Sequence, residues 1–156
     1  MNKILITGGC GFIGSHVTEY FFKKYPKAKI IVFDKITYAA SIKNIVSIRN
    51  SKRIKIIKAN ILNFKKIKEA TKHCDLIIHL AAESHVDNSF ELNNEFINTN
   101  VLGTKNVMQA CKENKVKKII HVSTDEIYGE IFNGNFDERA KFNPSNPYSS
   151  SKAAAE

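Results

Sequence analysis

Five short apolar runs, rich in β-branched residues, recur along the chain and predict five strands. They are KILIT (3–7), KIIVF (29–33), IKIIKA (54–59), DLIIHLAA (75–82) and KIIHVS (118–123). Near-continuous apolar strands are typical of a parallel sheet that is covered on both faces. Helical patterns at 12–24, 63–72 and 91–113 separate the runs. The alternation predicts a doubly wound α/β fold, with residues 1–156 forming one domain.

Two of the predicted helices carry apolar stripes. Residues 12–24 place four apolar side chains on one side, namely Ile13, Val17, Tyr20 and Phe21. Residues 91–113 carry a heptad-like stripe, namely Ile97, Val101, Thr104, Met108 and Cys111. The second stripe is wide enough to pack both on a sheet and on a second subunit. The polar stretch 129–147, punctuated by Gly and Pro, predicts a long loop.

A glycine-rich segment, ITGGCGFIGS, joins the first predicted strand to the first predicted helix. Gly9-x-Gly11-x-x-Gly14 fits the dinucleotide fingerprint, and Gly8-x-x-Gly11-x-x-Gly14 fits a variant spacing. Such glycines permit a tight turn, after which the helix N-terminus directs free N–H groups at a diphosphate. Asp34 ends the second predicted strand, where a carboxylate binds both ribose hydroxyls. Because its charge repels a 2′-phosphate, the sequence predicts NAD rather than NADP as the cofactor.

Two acids and a tyrosine–lysine pair are the candidates for proton transfer. The acids lie in VSTDEIYG, which begins at the end of the fifth predicted strand, where open α/β sheets bind ligands. Asp125 and Glu126 can act as a separate acid and base if their environments separate their pKa values. Tyr148 and Lys152 lie one helical turn apart. We expect the cation to lower the pKa of the tyrosine and make it a usable base.

Composition narrows the possible partners. The net charge is +9, but only three of the 24 basic residues are Arg, so nucleic acid is not expected as a partner. The basic residues concentrate in 1–72, which would favour a small anionic ligand such as a dinucleotide, although a solvated lysine surface is the favoured explanation for most of them. No apolar run reaches the length of a membrane span, and no signal peptide is recognised. Three widely spaced cysteines without a CxxC motif indicate a reducing compartment, so a cytoplasmic location is expected.

Two histidines raise the question of a metal site. His79 and His121 close two predicted strands at similar positions and could face each other. No third ligand follows at a suitable spacing, so hydrogen-bonded histidines at strand ends are the favoured interpretation. The sequence therefore predicts no metal.

Five motifs occur in the order that is found in the extended short-chain dehydrogenase/reductases. They are TGGCGFIGS, AAESHVDNS (81–89), NTNVLGT (98–104), VSTDEIYG (122–129) and YSSSK (148–152). Within that superfamily they resemble the NAD-dependent epimerase/dehydratases, and in particular the family of dTDP-glucose 4,6-dehydratases. The resemblance covers nearly the whole chain, and it implies an NAD-binding Rossmann domain.

The resemblance implies catalytic roles for five residues. The superfamily's Ser/Thr–Tyr–Lys triad would be Thr124, Tyr148 and Lys152. Tyr148 would take the sugar O4 proton while hydride leaves C4 for NAD. Glu126 would remove the C5 proton, and Asp125 would protonate the leaving C6 hydroxyl. Hydride would return to C6, converting dTDP-glucose to dTDP-4-keto-6-deoxyglucose, with NAD as a bound catalyst.

The resemblance also implies two sets of binding residues. The substrate would contact Ser84 and Thr124. The residues around NAD would be Gly8, Gly11, Phe12, Ile13, Gly14, Asp34, Lys35, Ile36, Thr37, Asn60, Ile61, Leu80, Ala81, Ala82, Glu83, Ser84, Thr99, Tyr148 and Lys152. Two positions depart from the family pattern. Asn60 replaces an Asp expected against the adenine, so binding should be weaker or unchanged, and Asn88 stands where an Arg is common.

Members of the resembled family continue past the Tyr–Lys helix into more sheet and a C-terminal lobe that holds the nucleotide-sugar. We therefore expect residues 1–156 to be an incomplete NAD-binding Rossmann domain, truncated before that substrate lobe, with little activity alone. The full-length form is expected to be a homodimer. Two alternatives stay open, a non-catalytic NAD-binding module and a related dehydratase that acts on UDP- or GDP-sugars.

Overall fold

The computed structural model describes all 156 residues and contains a five-stranded parallel sheet. The strands are β1 (Lys3–Thr7), β2 (Lys29–Asp34), β3 (Ile54–Lys58), β4 (Leu76–His79) and β5 (Lys118–His121). Their order across the sheet is β3-β2-β1-β4-β5, and every neighbouring pair is parallel. All five strands therefore fall on the apolar runs that predicted them.

Helices connect most of the strands. They are α1 (Phe12–Lys24), α2 (Phe64–Thr71), α3 (Val86–Glu91), α4 (Asn93–Phe96), α5 (Thr104–Glu113) and α6 (Pro147–Ala153). Two 3₁₀ turns, Ile42–Ile45 and Asp125–Tyr128, and a π-helical segment, Ile97–Gly103, complete the regular structure. No strand or helix lies between residues 129 and 146, so the predicted long loop is confirmed.

The chain divides into two compact units. The first unit consists of Met1–Ala81 and Lys105–Val122 and contains the whole sheet, α1, α2 and most of α5. The second consists of Ala82–Thr104 and Ser123–Glu156 and contains α3, α4, the π-helical segment and α6. The single domain that the sequence analysis expects over residues 1–156 stays a prediction.

The first unit has an apolar core on each face of its sheet, because successive strand side chains point to opposite faces. One core joins the strands to α2 and α5 through Leu5, Phe33, Ile77, Ile67 and Val107. The other joins them to α1 through Ile4, Val32, Ile78, Val17 and Phe21. Helices thus cover both faces, and the prediction of a doubly wound parallel sheet is confirmed.

Helix α1 buries only part of its predicted apolar stripe, because Val17 and Phe21 pack on the core while the other two residues are exposed. Ile13 is 60% exposed and Tyr20 is 53% exposed, whereas Gly14, Ser15 and Thr18 are buried. The Thr18 hydroxyl donates to the Gly14 carbonyl oxygen at 2.7 Å. Small side chains let the helix backbone approach the turn after β1 closely, and this contact decides which face of the helix is buried.

The predicted helix 91–113 is not one α-helix. It is interrupted between α3 and α4, and the π-helical segment then separates α4 from α5. A π-turn holds an extra residue, so it shifts the buried positions relative to an α-helical stripe. Asn100 and Gly103 are buried there, while Ile97 is 50% exposed.

Strand β5 differs from the other strands in its exposure. The sequence predicts near-continuous burial, but Ile119 is 38% exposed and Ile120 is 47% exposed. Strand β5 lies at an edge of the sheet and pairs only with β4.

No helix of the structure has both the length and the apolar character that crossing a membrane requires.

Substitution of Gly14 by Ala is expected to lower the free energy of unfolding by about 1–3 kcal/mol, as overpacking typically does. A Cβ atom at Gly14 would lie 2.0 Å from the Gly8 carbonyl oxygen, and backbone cannot yield as a side chain can. Gly11→Ala is the control, because its Cβ would lie 3.3 Å from the same oxygen. Urea unfolding measures both losses, and equal losses would contradict the predicted effect of the close approach.

Candidate active site

The glycine turn of the first unit forms an anion-binding geometry. Gly8 has a φ of +70°, and a Cβ there would lie 2.8 Å from the Ala81 amide nitrogen. Gly11 is the N-cap of α1 and offers no side chain to the first-turn N–H groups. The first turn contains no acidic residue that would repel an anion. Phe12 and Ile13 in this turn are exposed to solvent. These N–H groups and the helix dipole suit the diphosphate of a dinucleotide.

Asp34 lies at the end of β2 and is buried among backbone N–H donors. Its Oδ2 atom accepts from the Cys10 amide at 2.9 Å, and its Oδ1 atom accepts from the Ile36 amide at 2.7 Å. Each carboxylate oxygen can accept a further bond, which leaves capacity for the ribose hydroxyls. Ile36 has a φ of 56°, a strained conformation for a β-branched residue. Such strain concentrates at ligand sites.

The end of β4 is held by a hydroxyl from β1. The Thr7 hydroxyl oxygen accepts from the Leu80 and Ala81 amides at 3.2 Å each. The same hydroxyl is hydrogen-bonded to the His79 Nδ1 atom at 2.6 Å. The His79 ring stacks on His121 with centroids 5.2 Å apart. No group of three or more His, Cys, Asp or Glu side chains forms a candidate metal site.

The remaining predicted cofactor residues of the first unit follow β2 and β3. Lys35 is exposed and Thr37 is partly buried. The Asn60 Oδ1 atom accepts from the Leu62 amide at 2.9 Å, and Ile61 is buried. Parallel strands end at the same edge of a sheet, so these loops share that edge with the glycine turn and the end of β4.

The adjacent acids of the second unit have different environments. Thr124 is the N-cap of the 3₁₀ turn Asp125–Tyr128, and its hydroxyl oxygen accepts from the Glu126 amide at 3.3 Å. The Asp125 side chain is exposed to solvent. Glu126 is partly buried, and its Oε2 atom accepts from the Asn146 side-chain amide at 3.0 Å. The two adjacent carboxyl groups therefore differ in exposure and in hydrogen-bond partner.

Helix α6 positions the tyrosine and the lysine. It begins with a capping box between Asn146 and Ser149, with Pro147 in the first turn. Tyr148 is partly buried, and its ring meets Phe96 edge-on with centroids 6.3 Å apart. Lys152 is buried, and burial lowers its pKa below 10.5.

The pKa of Tyr148 differs from the sequence expectation. Burial of the phenol raises its pKa above 10, and the nearby charges of Glu126 and Asp125 raise it as well. A hydrogen bond with the Thr124 hydroxyl acts in the opposite direction but does not compensate for burial. The expectation that Lys152 lowers this pKa is therefore wrong for the chain alone, because helical spacing does not account for the burial of the phenol.

An asparagine that the sequence analysis does not single out fixes a predicted cofactor loop. The Asn100 side chain bonds the Glu83 backbone twice, accepting from its amide at 2.8 Å and donating to its carbonyl oxygen at 2.9 Å. It also donates to the Ser151 hydroxyl oxygen at 2.8 Å. Asn100 lies within the quoted motif NTNVLGT, which was its only sequence signal. Ser84 next to this loop is exposed, and Thr99 is partly buried.

The predicted site residues fall in both units. The first unit holds the glycine turn and the predicted residues that follow β2, β3 and β4 up to Ala81. The second unit brings together the whole predicted catalytic set and the rest of the cofactor set, namely Ala82, Glu83, Ser84, Thr99, Thr124, Asp125, Glu126, Tyr148 and Lys152. The roles of all these residues stay predictions.

The fold and this set of residues agree with a match to a known family. The family model for GDP-mannose 4,6 dehydratase matches residues 5–156. The chain belongs to this family. Membership in the GDP-mannose 4,6 dehydratase family agrees with the five ordered motifs of the sequence.

Three relatives of this family member are informative. A dTDP-D-glucose 4,6-dehydratase of Dictyostelium discoideum is 43% identical over 100% of the chain and 39% of its own length. A trifunctional UDP-glucose 4,6-dehydratase of Arabidopsis thaliana is 42% identical over 99% of the chain and 24% of its own length. The NAD-bound crystal structure of DesIV, a dTDP-glucose 4,6-dehydratase from Streptomyces venezuelae, is 37% identical with a TM-score of 0.92.

The DesIV structure aligns with 98% of the chain and 49% of its own chain. This likeness confirms the Rossmann fold. The chain spans less than half the length of these relatives.

Substitution of Thr124 by Val is expected to raise the pKa of Tyr148 further, because it removes the hydrogen bond that lowers this pKa. NMR titration of the chain with 13C-labelled tyrosine measures the change directly. Ser150→Ala is the control, since Ser150 is exposed on the same helix. An unchanged Tyr148 titration in Thr124→Val would contradict the role of this hydroxyl.

Proposed function

We propose that the chain carries the NAD-binding and proton-transfer residues of a dTDP-glucose 4,6-dehydratase. The reaction converts dTDP-glucose to dTDP-4-keto-6-deoxyglucose, so the enzyme is a hydro-lyase. One observation carries the proposal, namely that the Thr124–Asp125–Glu126 turn lies in the same unit as Tyr148 and Lys152, with its two acids in different environments. The names of the Dictyostelium discoideum and Streptomyces venezuelae relatives agree with it.

NAD is the cofactor that fits the first unit best. The uncapped first turn of α1 would bind its diphosphate, and the free acceptor positions of Asp34 would bind a ribose. When bound, NAD supplies reversible hydride acceptance, so the overall reaction needs no external oxidant. The structures of relatives with NAD bound support this assignment.

The phenol of Tyr148 is the proposed base for the sugar O4 proton. Burial holds this phenol protonated in the chain alone, so its function depends on groups that stabilise the phenolate. The Thr124 hydroxyl already acts in that direction. Lys152 lies on the same helix as Tyr148. Burial lowers the pKa of its ammonium group, which means that burial destabilises the charged form. A phenolate nearby would stabilise that positive charge and would be stabilised by it in turn.

The two acids suit different proton transfers. Glu126 accepts a hydrogen bond from a side-chain amide, which orients its carboxyl group, and it is the proposed base for the C5 proton. Asp125 is exposed, so it can regain a proton from water in each catalytic cycle. It is therefore the proposed acid for the departing C6 hydroxyl.

Three finer assignments belong to the proposal. A UDP-sugar is the second candidate substrate, favoured by the Arabidopsis relative, whose name includes UDP-glucose 4,6-dehydratase. A homodimer is supported by apolar side chains that are half-exposed in the π-helical segment, Ile97 and Leu102. A cytoplasmic location rests on the three buried, unpaired cysteines, a state that reducing compartments maintain.

Incubation of the chain with NAD and dTDP-glucose in D₂O is expected to give the 4-keto-6-deoxy product only slowly, with deuterium at C5 of the product that forms. Glu126→Gln is expected to slow the labelling by about 100-fold or more, since it removes the base. Glu130→Gln, an exposed acid of the neighbouring loop, is the control. NAD binding without any turnover would favour the non-catalytic module, and faster labelling of UDP-glucose would favour the second substrate.

Calorimetry is expected to show tighter binding of NAD than of NADP, because the Asp34 charge repels a 2′-phosphate. Asp34→Asn is expected to weaken NAD binding and reduce the preference, since Asn has one acceptor oxygen for two backbone donors. Asp75→Asn is the matched control, because Asp75 also accepts from two backbone amides but precedes β4. Equal binding of both cofactors by the unmodified chain would contradict the assignment.

A further inference from the structure

We propose that Asn146 is a positioning residue that fixes the carboxylate of Glu126 for proton abstraction. The inference rests on the proposed function, in which Glu126 is the base. It adds a residue that lies outside the five motifs and outside the predicted catalytic set. The contact that carries it is the hydrogen bond of 3.0 Å from the Asn146 Nδ2 atom to the Glu126 Oε2 atom.

The Asn146 side chain is held at both ends of its amide. Its Oδ1 atom accepts from the Ser149 backbone N–H at 2.7 Å, while its Nδ2 atom donates to Glu126. One partner is a donor and the other is an acceptor, so the two bonds together determine which way the amide is oriented. The Asn146 backbone N–H also donates to the Ser149 hydroxyl oxygen at 3.1 Å. The donor that faces Glu126 therefore has little rotational freedom.

The carboxylate of Glu126 needs such an anchor. The backbone of Glu126 belongs to a single 3₁₀ turn, Asp125–Tyr128. Thr124 is the N-cap of this turn and Gly129 is its C-cap. A glutamate side chain has three rotatable bonds, and a general base must present its lone pair within hydrogen-bond reach of the proton. A hydrogen bond at Oε2 restricts the rotation of the carboxylate and leaves lone pairs of both oxygens available to take a proton.

The same residue links this base to the helix of the tyrosine. Asn146 is the N-cap of α6, and Tyr148 lies in the first turn of that helix. The cap alone would be satisfied about equally well by Ser or Asp. Neither Ser nor Asp has the side-chain amide that donates a hydrogen bond to Glu126. Substitutions can therefore separate the role in capping from the role in positioning.

Three variants of the whole chain make the test. Asn146→Ser keeps a cap acceptor but is too short to cap the helix and bond Glu126 together. Asn146→Asp keeps the cap and places a second carboxylate against Glu126. Ser149→Ala is the matched control, because it weakens the capping box and leaves the Asn146 donor in place.

The first measurement does not need activity. In the 15N-labelled chain, the side-chain amide signal of Asn146 is expected to shift when Glu126 is replaced by Gln, because the charged acceptor is lost. The signal is assigned by its disappearance in Asn146→Ser. An Asn146 amide signal that stays unchanged in Glu126→Gln would overturn the proposal.

The second measurement separates the two chemical steps. Both Asn146 variants are expected to slow deuterium incorporation at C5 by about 10- to 100-fold, the effect of misplacing a catalytic group. Hydride transfer from C4, followed as the single-turnover rise in NADH absorbance, should change much less. Ser149→Ala should lower thermal stability without a matching loss of C5 exchange.

A purely structural role of Asn146 gives a different result. All three variants would then lose both steps in proportion to their loss of stability, and that outcome would overturn the proposal. A wild-type chain that incorporates no deuterium, while its Asn146 signal still responds to Glu126→Gln, would contradict the proposed dehydratase function instead. The contact between the two side chains would stand in that case.

Discussion

The contact between Gly14 and the carbonyl oxygen of Gly8 is the constraint on which the first unit depends. A side chain at Gly14 would overlap that oxygen, so α1 can start above the end of β1 only if this position is glycine. The positive φ of Gly8 turns the chain into this approach, and the N-cap at Gly11 leaves the first-turn N–H groups without a side-chain partner. The backbone geometry that lets the helix pack is thus the same geometry that suits a diphosphate.

Sequence patterns were sufficient for the elements whose side chains are large, apolar and regularly spaced. Strand β1 and helix α1 have the predicted bounds, and the alternation of strands and helices gave the right fold class. The buried face of α1 was predictable only in part, because Gly14 and Thr18 pack through their small size and backbone contacts. The π-helical segment was also missed, since its extra residue leaves no mark on a period of 3.6.

The candidate site shows a similar division between what is local in sequence and what is not. The spacing of Tyr148 and Lys152 placed both on α6, but the pKa of the phenol depends on burial, which spacing does not report. Asn100 bonds Ser151, 51 residues away, and Asn146 bonds Glu126, 20 residues away. No local pattern distinguishes either asparagine from an ordinary polar residue, because each acts through a partner that only the fold brings near.

The different environments of the two adjacent acids follow from the geometry of the turn that carries them. A 3₁₀ turn has three residues per turn, so neighbouring side chains point about 120° apart. In Asp125–Tyr128 this rotation leaves Asp125 in solvent and directs Glu126 to Asn146 at the start of α6. One acid thus stays in contact with water, while the other gains a fixed hydrogen-bond donor.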